Sequence, residues 1–376
     1  MARIGKIDAR AVAIPLDSVT SLSSRSIGER HYGLVEIETD AGVRGIGFCY
    51  VGHRGGRLFE LAVDELLAPL LAGRDSTEVE LLWAEMYQDA LLQGRTGVVM
   101  RAISAVDTAL WDANARAAGL PLYRYLGAAR SGRVPAYASG GYFLEGKTPA
   151  MLAEECGAYV RAGFGAVKIK VGRHSDPGRE EERVAAVRDA IGPGVLLMLD
   201  ANNAWPDLPS ALPFIRRYEK HDCYFIEEPF SPDDIDSHAR LVQATPMLVA
   251  TGEIEAGRWR FRELLDKRAA QIVQTDACVA GGITEFRRIA AMAAGYGVPL
   301  MPHWFHDLHV HLVAATPNAR FVEFFPDSAV LNFRKLISHQ LVAEAGQLVL
   351  PDRPGLGFDF LPDAVERFSL TSGAKA

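Results

Sequence analysis

The chain has 376 residues, 49% of them hydrophobic and 23% charged, with a formal charge of -7 and a pI near 5.8. Its length exceeds the roughly 250 to 300 residues at which a single core stops growing, so two domains are expected. The acidic balance excludes a nucleic-acid or anionic-membrane surface, which needs a basic excess; an anionic small molecule would have to be met by local charge.

Met1 to Arg10 carries charges where a secretory segment would be apolar, and no uninterrupted apolar run reaches about 18 residues. A cytoplasmic protein is expected. Ile4 to Ile14 and His31 to Thr39 read as strands, and Asp40-Ala-Gly42 as the turn into a third, Val43 to Tyr50. Asp17 to Arg30 holds five serines, Thr20 and Arg25, and Gly52-His-Arg-Gly-Gly56 is also polar. Both read as loops, either plainly solvated or acting as lids over a polar ligand. Leu58 to Ala72, Glu78 to Leu91 and Val98 to Ala118 show apolar residues at helical spacing. Residues 1–130 are therefore an expected α+β unit. Cys49, Cys156, Cys223 and Cys278 stand far apart with no C-x-x-C pair, so neither a disulfide framework nor a zinc knuckle is indicated.

After Arg133 the pattern changes to eight short apolar runs alternating with helical segments, and this repeat predicts a β/α barrel. The runs are Pro135 to Tyr142, Ala166 to Gly172, Leu196 to Asn202, Tyr224 to Pro229, Leu248 to Glu253, Ile272 to Val279, Val298 to His303 and Phe321 to Phe325. A doubly wound sheet would show fewer repeats and a glycine fingerprint after its first strand; the lone Gly45-Ile-Gly47 lies in the N-terminal unit. The barrel is expected over residues 131–340. From Leu341 to residue 376 the chain reads as a segment that leaves the barrel and packs on the first unit.

Many of the runs end in residues that are expensive to bury. Lys168 and Lys170 share one face of a strand, where each would lower the other's pKa and leave one able to act as a base. Asp200 with Asn202, then Glu227, Glu253, Asp276, His303 and Glu323 follow at later strand ends. A barrel of this kind turns all such ends toward one pocket. Asp200, Glu227 and Glu253, on successive strands, would repel one another unless a hard cation such as Mg²⁺ neutralised them. Asp276 beside His303 would fix the imidazole tautomer and raise its pKa. His306, His309 and His311 suggest zinc by composition, but they fall where a helix follows the strand, and the thiolates or early H-x-H of a zinc barrel are missing. The set implies abstraction of a proton from the carbon α to a carboxylate, with Mg²⁺ stabilising the resulting enediolate.

At these residues the chain resembles the enolase superfamily and, within it, the mandelate racemase subgroup. The matching pieces are Lys168-Ile-Lys170, Leu199-Asp-Ala-Asn202, Ile226-Glu-Glu-Pro229, Gly252-Glu253, Asp276, His303 and His311-Leu-Val-Ala-Ala-Thr316 leading to Val322-Glu323. Enolase proper lacks the K-x-K pair, and muconate-cycloisomerase and dipeptide-epimerase relatives carry a lysine where this chain has Asp276. The resemblance implies a modified (β/α)7β TIM barrel with an N-terminal capping domain, in a homo-oligomer. It implies Asp200, Glu227 and Glu253 as Mg²⁺ ligands, and Lys170 with the His303/Asp276 dyad as acid/base catalysts. Lys168, Asn202 and Glu323 would act around the substrate carboxylate.

The subgroup contains acid-sugar dehydratases, which form a 2-keto-3-deoxy acid, and racemases or epimerases of 2-hydroxy acids. The serine-rich first loop, with Ser18, Ser21, Ser23, Ser24 and Arg25, suits a polyhydroxylated acid better than an aryl one. Arg25 and Arg54 would pair with a distal carboxylate if the substrate is an aldarate. A Mg²⁺-dependent dehydratase of an aldonate or aldarate is the leading expectation, with a racemase next. A non-catalytic barrel and a zinc hydrolase are more remote.

Overall fold

A computed structural model describes residues 2–327 and 331–371. Met1 and 372–376, at the ends of the expected first and last segments, and 328–330 inside the expected barrel segment, lie outside the described residues. The N-terminal unit is a three-stranded antiparallel sheet, β1 (Ile4–Ser21), β2 (Ser26–Thr39) and β3 (Arg44–Gly52). A helical stretch follows: α1 (Gly56–Leu61), a π-turn and α2 (Ala68–Leu71), then α3 (Val79–Asp89), α4 (Gly97–Ala117) and α5 (Leu122–Tyr125). α4 lies against β3 at close quarters. A Cβ on Gly45 would come within 2.2 Å of the Ala109 carbonyl, and one on Gly47 within 1.8 Å of the Ala105 carbonyl. The Gly45-Ile-Gly47 pair therefore exists for backbone approach between sheet and helix.

Asp17 to Arg30 is not the loop its composition suggested. β1 and β2 pair through most of it, as far as Thr20 with Ile27 and Ser21 with Ser26, after an irregularity between Pro15 and Thr20. Only residues 22–25 turn, closed by a bond from the Leu22 N–H to the Arg25 carbonyl of 2.8 Å. Leu22 and Ile27 are buried at this tip, while Ser24, Arg25 and Ser26 are exposed, as in a half-buried hairpin.

The barrel begins with β4 (Arg133–Ser139). It continues α6 (Pro149–Arg161), β5 (Ala166–Lys170), α7 (Pro177–Ile191), β6 (Leu196–Asp200), α8 (Leu208–Tyr218), β7 (Cys223–Glu227), α9 (Ile235–Ala244), β8 (Leu248–Thr251), α10 (Arg258–Asp266) and β9 (Ile272–Val273). α11 (Ala277–Ala280), α12 (Gly282–Gly295), α13 (His306–Ala315) and β10 (Val322–Phe324) complete it. β4 through β9 pair in sequence as parallel neighbours, and β10 pairs parallel with β4 on its other side.

Each strand ends before its apolar run does, and two of the eight expected strands fall far short. β9 stops at Val273, because Asp276 turns to accept the N–H of Cys278 and starts α11. The stretch ending at His303 makes only single bridges, Leu300 with Val273 and with Ala319. Inside the barrel, Tyr137, Ala166, Met198, Phe225, Ala250, Ile272 and Met301 form a dry layer. Several stand two residues before a strand-end polar group: Ala166 before Lys168, Met198 before Asp200, Phe225 before Glu227, Met301 before His303. Period-two alternation thus seats the polar ring on an apolar floor.

The C-terminal segment adds β11 (Ala343–Glu344) and β12 (Gln347–Val349), the latter antiparallel to β4. It then returns to the first sheet through α14 (Pro362–Phe368), with the Leu370 N–H on the Ala11 carbonyl at 2.9 Å. Among the described residues no helix is long and apolar enough to cross a membrane.

Candidate active site

Parallel register sets the geometry. Lys170 lies beside Asp200, Asp200 beside Glu227, and Glu227 beside Ala250, so the ends of β5, β6 and β7 finish in one layer. Glu253 follows β8 past Gly252, whose φ of 124° only glycine adopts readily. One carboxylate oxygen from each of Asp200, Glu227 and Glu253 lies within 4.8 Å of the others. The backbone just past the strand ends is left-handed at several non-glycine residues, with Asn202 at φ 43°, Glu228 at φ 42° and Trp304 at φ 56°. Non-glycine residues are held in that region only where their surroundings over-determine them.

The charge inventory of this layer is unbalanced. Asp200, Glu227, Glu228, Glu253, Asp276 and Glu323 are all buried, against two buried lysines. Lys168 Nζ sits 2.7 Å from Glu227 and 2.7 Å from Glu323, and Lys170 Nζ is bonded to Asp200. Burial and the neighbouring Asp200 push Glu227 well above the usual carboxylate range. Burial alone would raise Glu323 too, but Lys168 and His303 hold it down at about 2. The Oε2 of Glu253 is buried with no hydrogen-bond donor. Three oxygen donors that repel one another, one of them without a partner, fit a hard divalent cation, whose charge would remove the repulsion.

The expectation that each lysine lowers the other's pKa is corrected by these contacts. Burial does disfavour the ammonium forms, but Glu227 and Glu323 hold Lys168 well above its ordinary value, and Asp200 does the same for Lys170. Attraction to carboxylates at contact distance outweighs repulsion between the lysines.

His303 Nδ1 lies 3.1 Å from Asp276 Oδ2, and its Nε2 3.6 Å from Glu253. Burial would lower the imidazole pKa, but Glu253 and Asp276 raise it above its ordinary value. Lys170, Asn202, Glu253, Asp276 and His303 line one cavity of 280 Å³ between the barrel mouth and the N-terminal sheet. Asn202 Oδ1 is buried there without a partner.

The sheet side of the cavity departs from expectation. Arg25 lines it, but Arg54 does not; Arg54 is exposed and bonded to its neighbour His53 at 3.1 Å. None of the four serines lines it, and Ser23 instead donates to the Asn202 carbonyl at 2.9 Å. Arg30 and Arg101 line it in their place, together with Tyr50, Tyr142 and Trp304. Arg30 is buried against Trp304, 4.5 Å from the ring centre, and its Nε has no partner. No pattern in the sequence marks these arginines: one stands within a strand and one on a helix, where an arginine ordinarily faces solvent. The histidines of α13 are spent elsewhere. His309 takes the Ala277 N–H at 3.1 Å and faces the Trp304 carbonyl at 2.9 Å, while His311 bridges the Tyr123 N–H and the Leu356 carbonyl.

Comparison with known proteins matches residues 6–127 to the mandelate racemase / muconate lactonizing enzyme N-terminal domain and residues 151–364 to the enolase C-terminal domain-like family. The chain is 35% identical to an arabinonate dehydratase of Saccharolobus solfataricus, over 95% of this chain and 96% of that protein. It is 34% identical to an L-talarate/galactarate dehydratase of Salmonella typhimurium, over 96% and 88%. Among solved structures, the L-talarate dehydratase of Polaromonas sp. JS666, complexed with Mg and L-glucarate, superposes with a TM-score of 0.90 at 33% identity, covering 99% of this chain and 98% of that one.

Proposed function

This chain belongs to the mandelate racemase / muconate lactonizing enzyme family, and we propose that it is a Mg²⁺-dependent dehydratase of a sugar acid. The observation that carries the reading is a single cavity shared by Lys170, the His303/Asp276 dyad and one member of the three-carboxylate cluster, with Arg25, Arg30 and Arg101 among the other lining residues. The relatives named as dehydratases of arabinonate and of talarate or galactarate support it.

Asp200, Glu227 and Glu253 would hold the Mg²⁺. When bound, the ion supplies positive charge to the substrate carboxylate as the α carbon gives up its proton. Sharing its charge with the bound ion, Asp200 would hold Lys170 protonated less strongly, and the amine would be able to take the α proton. Lys168, fixed between Glu227 and Glu323, is a stationary cation beside the developing negative charge. Asn202 supplies an unpartnered amide oxygen to the same cavity. His303 donates a proton from Nε2 to the departing β-hydroxyl, which leaves as water, while Asp276 holds Nδ1. The enol that remains tautomerises to a 2-keto-3-deoxy acid.

Arg25, Arg30 and Arg101 favour an acid whose far end is anionic, so aldarates stand ahead of aldonates. The test is a screen of both classes for keto-acid product, with α-proton exchange followed in D₂O. Exchange with loss of optical activity and no keto acid would replace the dehydratase with a racemase, for which a base and an acid in the same cavity are equally suited.

A further inference from the structure

A second polar cavity, of 430 Å³, lies beside the β1–β2 hairpin between the segment after β4 and the start of α7. Its charged lining is Lys147, Arg173, Arg179 and Arg183, with His174, against the single carboxylate of Glu182. Lys147 is already paired with Glu155, and nearby Glu180 is committed to the N–H groups of Gly172 and His174 at 2.9 and 2.7 Å. Among the described residues, no carboxylate oxygen lies within ion-pair distance of Arg173, Arg179 or Arg183. Arg183 is 3% exposed, its Nε has no hydrogen-bond partner, and its Nη2 reaches only carbonyls, at 3.2 and 3.5 Å. Glu180 and Glu155 act on Arg183 only from beyond contact distance, and both are engaged elsewhere, Glu155 by Lys147, so a buried guanidinium without a contacting counter-charge is left for an anion to satisfy.

The contacts around the cavity lead to the catalytic mouth. Arg183 packs on the Phe143 ring at 4.1 Å, and the carbonyls it bonds belong to Gly141 and Lys170. Phe143 exchanges two backbone bonds with Ser21 at the end of β1, and Arg173 holds the Leu22 carbonyl at 2.8 Å. Whatever fixes these guanidinium groups therefore also fixes the hairpin tip, which bears Arg25.

We propose that this cavity binds a small dianion, phosphate or a dicarboxylate, and that the bound anion braces the hairpin over the catalytic cavity. Guanidinium forks match both phosphate and carboxylate oxygens, and three guanidinium groups against the one lining carboxylate of Glu182 favour two negative charges over one.

The test titrates the Mg²⁺-loaded protein calorimetrically with inorganic phosphate and, separately, with succinate; the tighter of the two identifies the chemistry preferred. Saturable binding is expected that survives Lys170→Ala, weakens by roughly ten-fold or more in Arg179→Glu and recovers in Arg179→Lys. Arg179 is exposed, so the variants should melt like the parent. In the parent, the anion should also slow amide hydrogen exchange at Ser21 and Phe143. Binding that ignores Arg179→Glu, disappears in Lys170→Ala, or leaves exchange at those amides unchanged would overturn the proposal, as would no saturable binding of either probe.

Discussion

At the scale of single residues, the steps proposed for Lys170 and His303 are separable, and variants can tell them apart. Lys170→Ala should lower kcat by about 10³-fold or more, within the usual range for a positioned acid or base, in Mg²⁺-loaded protein that still melts cooperatively. His303→Asn should also lose dehydration, yet keep exchange of the α proton with solvent, because Lys170 and the carboxylate cluster remain. Loss of exchange in His303→Asn as well would assign the abstraction to the imidazole. Arg30→Ala should raise KM for an aldarate more than for the aldonate of the same length; equal effects on both would remove Arg30 from recognition of the distal end. Residues that end an apolar run in a charge were legible in the sequence, because burying Lys168, Asp200 or Glu227 demands a reason. Arg30 and Arg101 were not, and Arg54 and the serines misled. A polar residue near a turn reads the same whether it faces the cavity or, as with Arg54, the solvent.

At the scale of elements, α13 shows how a helix can be polar in sequence and buried throughout. His306, His309 and His311 are fully buried, and burial lowers all three pKa values, His311 to about 4. These imidazoles are neutral in the fold, whereas in the unfolded chain they take up protons near pH 6.5. The unfolded state therefore binds more protons below that value, so the stability they contribute is complete above about pH 6.5 and is lost as pH falls toward 4. For His311 the loss is on the order of 3 kcal/mol. Chemical denaturation of the parent and of His311→Gln across this window should show a shallower decline in the variant; parallel curves would rule out His311 as a source. Packing of β3 on α4 offers a second check. Gly47→Ala should destabilise by about 3 kcal/mol, the upper range for overpacking, because its Cβ meets backbone that cannot yield. Both features had sequence signals: the histidine run suggested zinc by composition, and the glycine pair was too little, and in the wrong unit, for the fingerprint of a doubly wound sheet. Partners supplied by distant segments, Leu356 for His311 and Ala105 for Gly47, gave them other uses.

At the scale of the whole molecule, the eight-fold repeat was legible because the parallel strands, apart from the charges near their ends, are short apolar runs spaced by helical segments. Strand lengths were not: the runs ending at Val279 and His303 are apolar because α11 and the loop before α13 are buried too. The hairpin over the barrel mouth escaped because a register shift inside β1 interrupts the alternation that would reveal it. We also propose that the segment from Leu341 onward is required for folding, since β12 completes an edge of β4 and Leu348, Leu350, Leu356, Phe358 and Phe360 are buried. A chain truncated after residue 340 should be insoluble or lack a cooperative melt; a soluble, active truncation would show the segment to be dispensable. The account as a whole depends on three carboxylates from successive strands closing on one cation. Calorimetric titration of chelator-treated protein with Mg²⁺ should give one site per chain, abolished by Glu253→Gln in a variant that still melts cooperatively. Undiminished Mg²⁺ binding in that variant would contradict it.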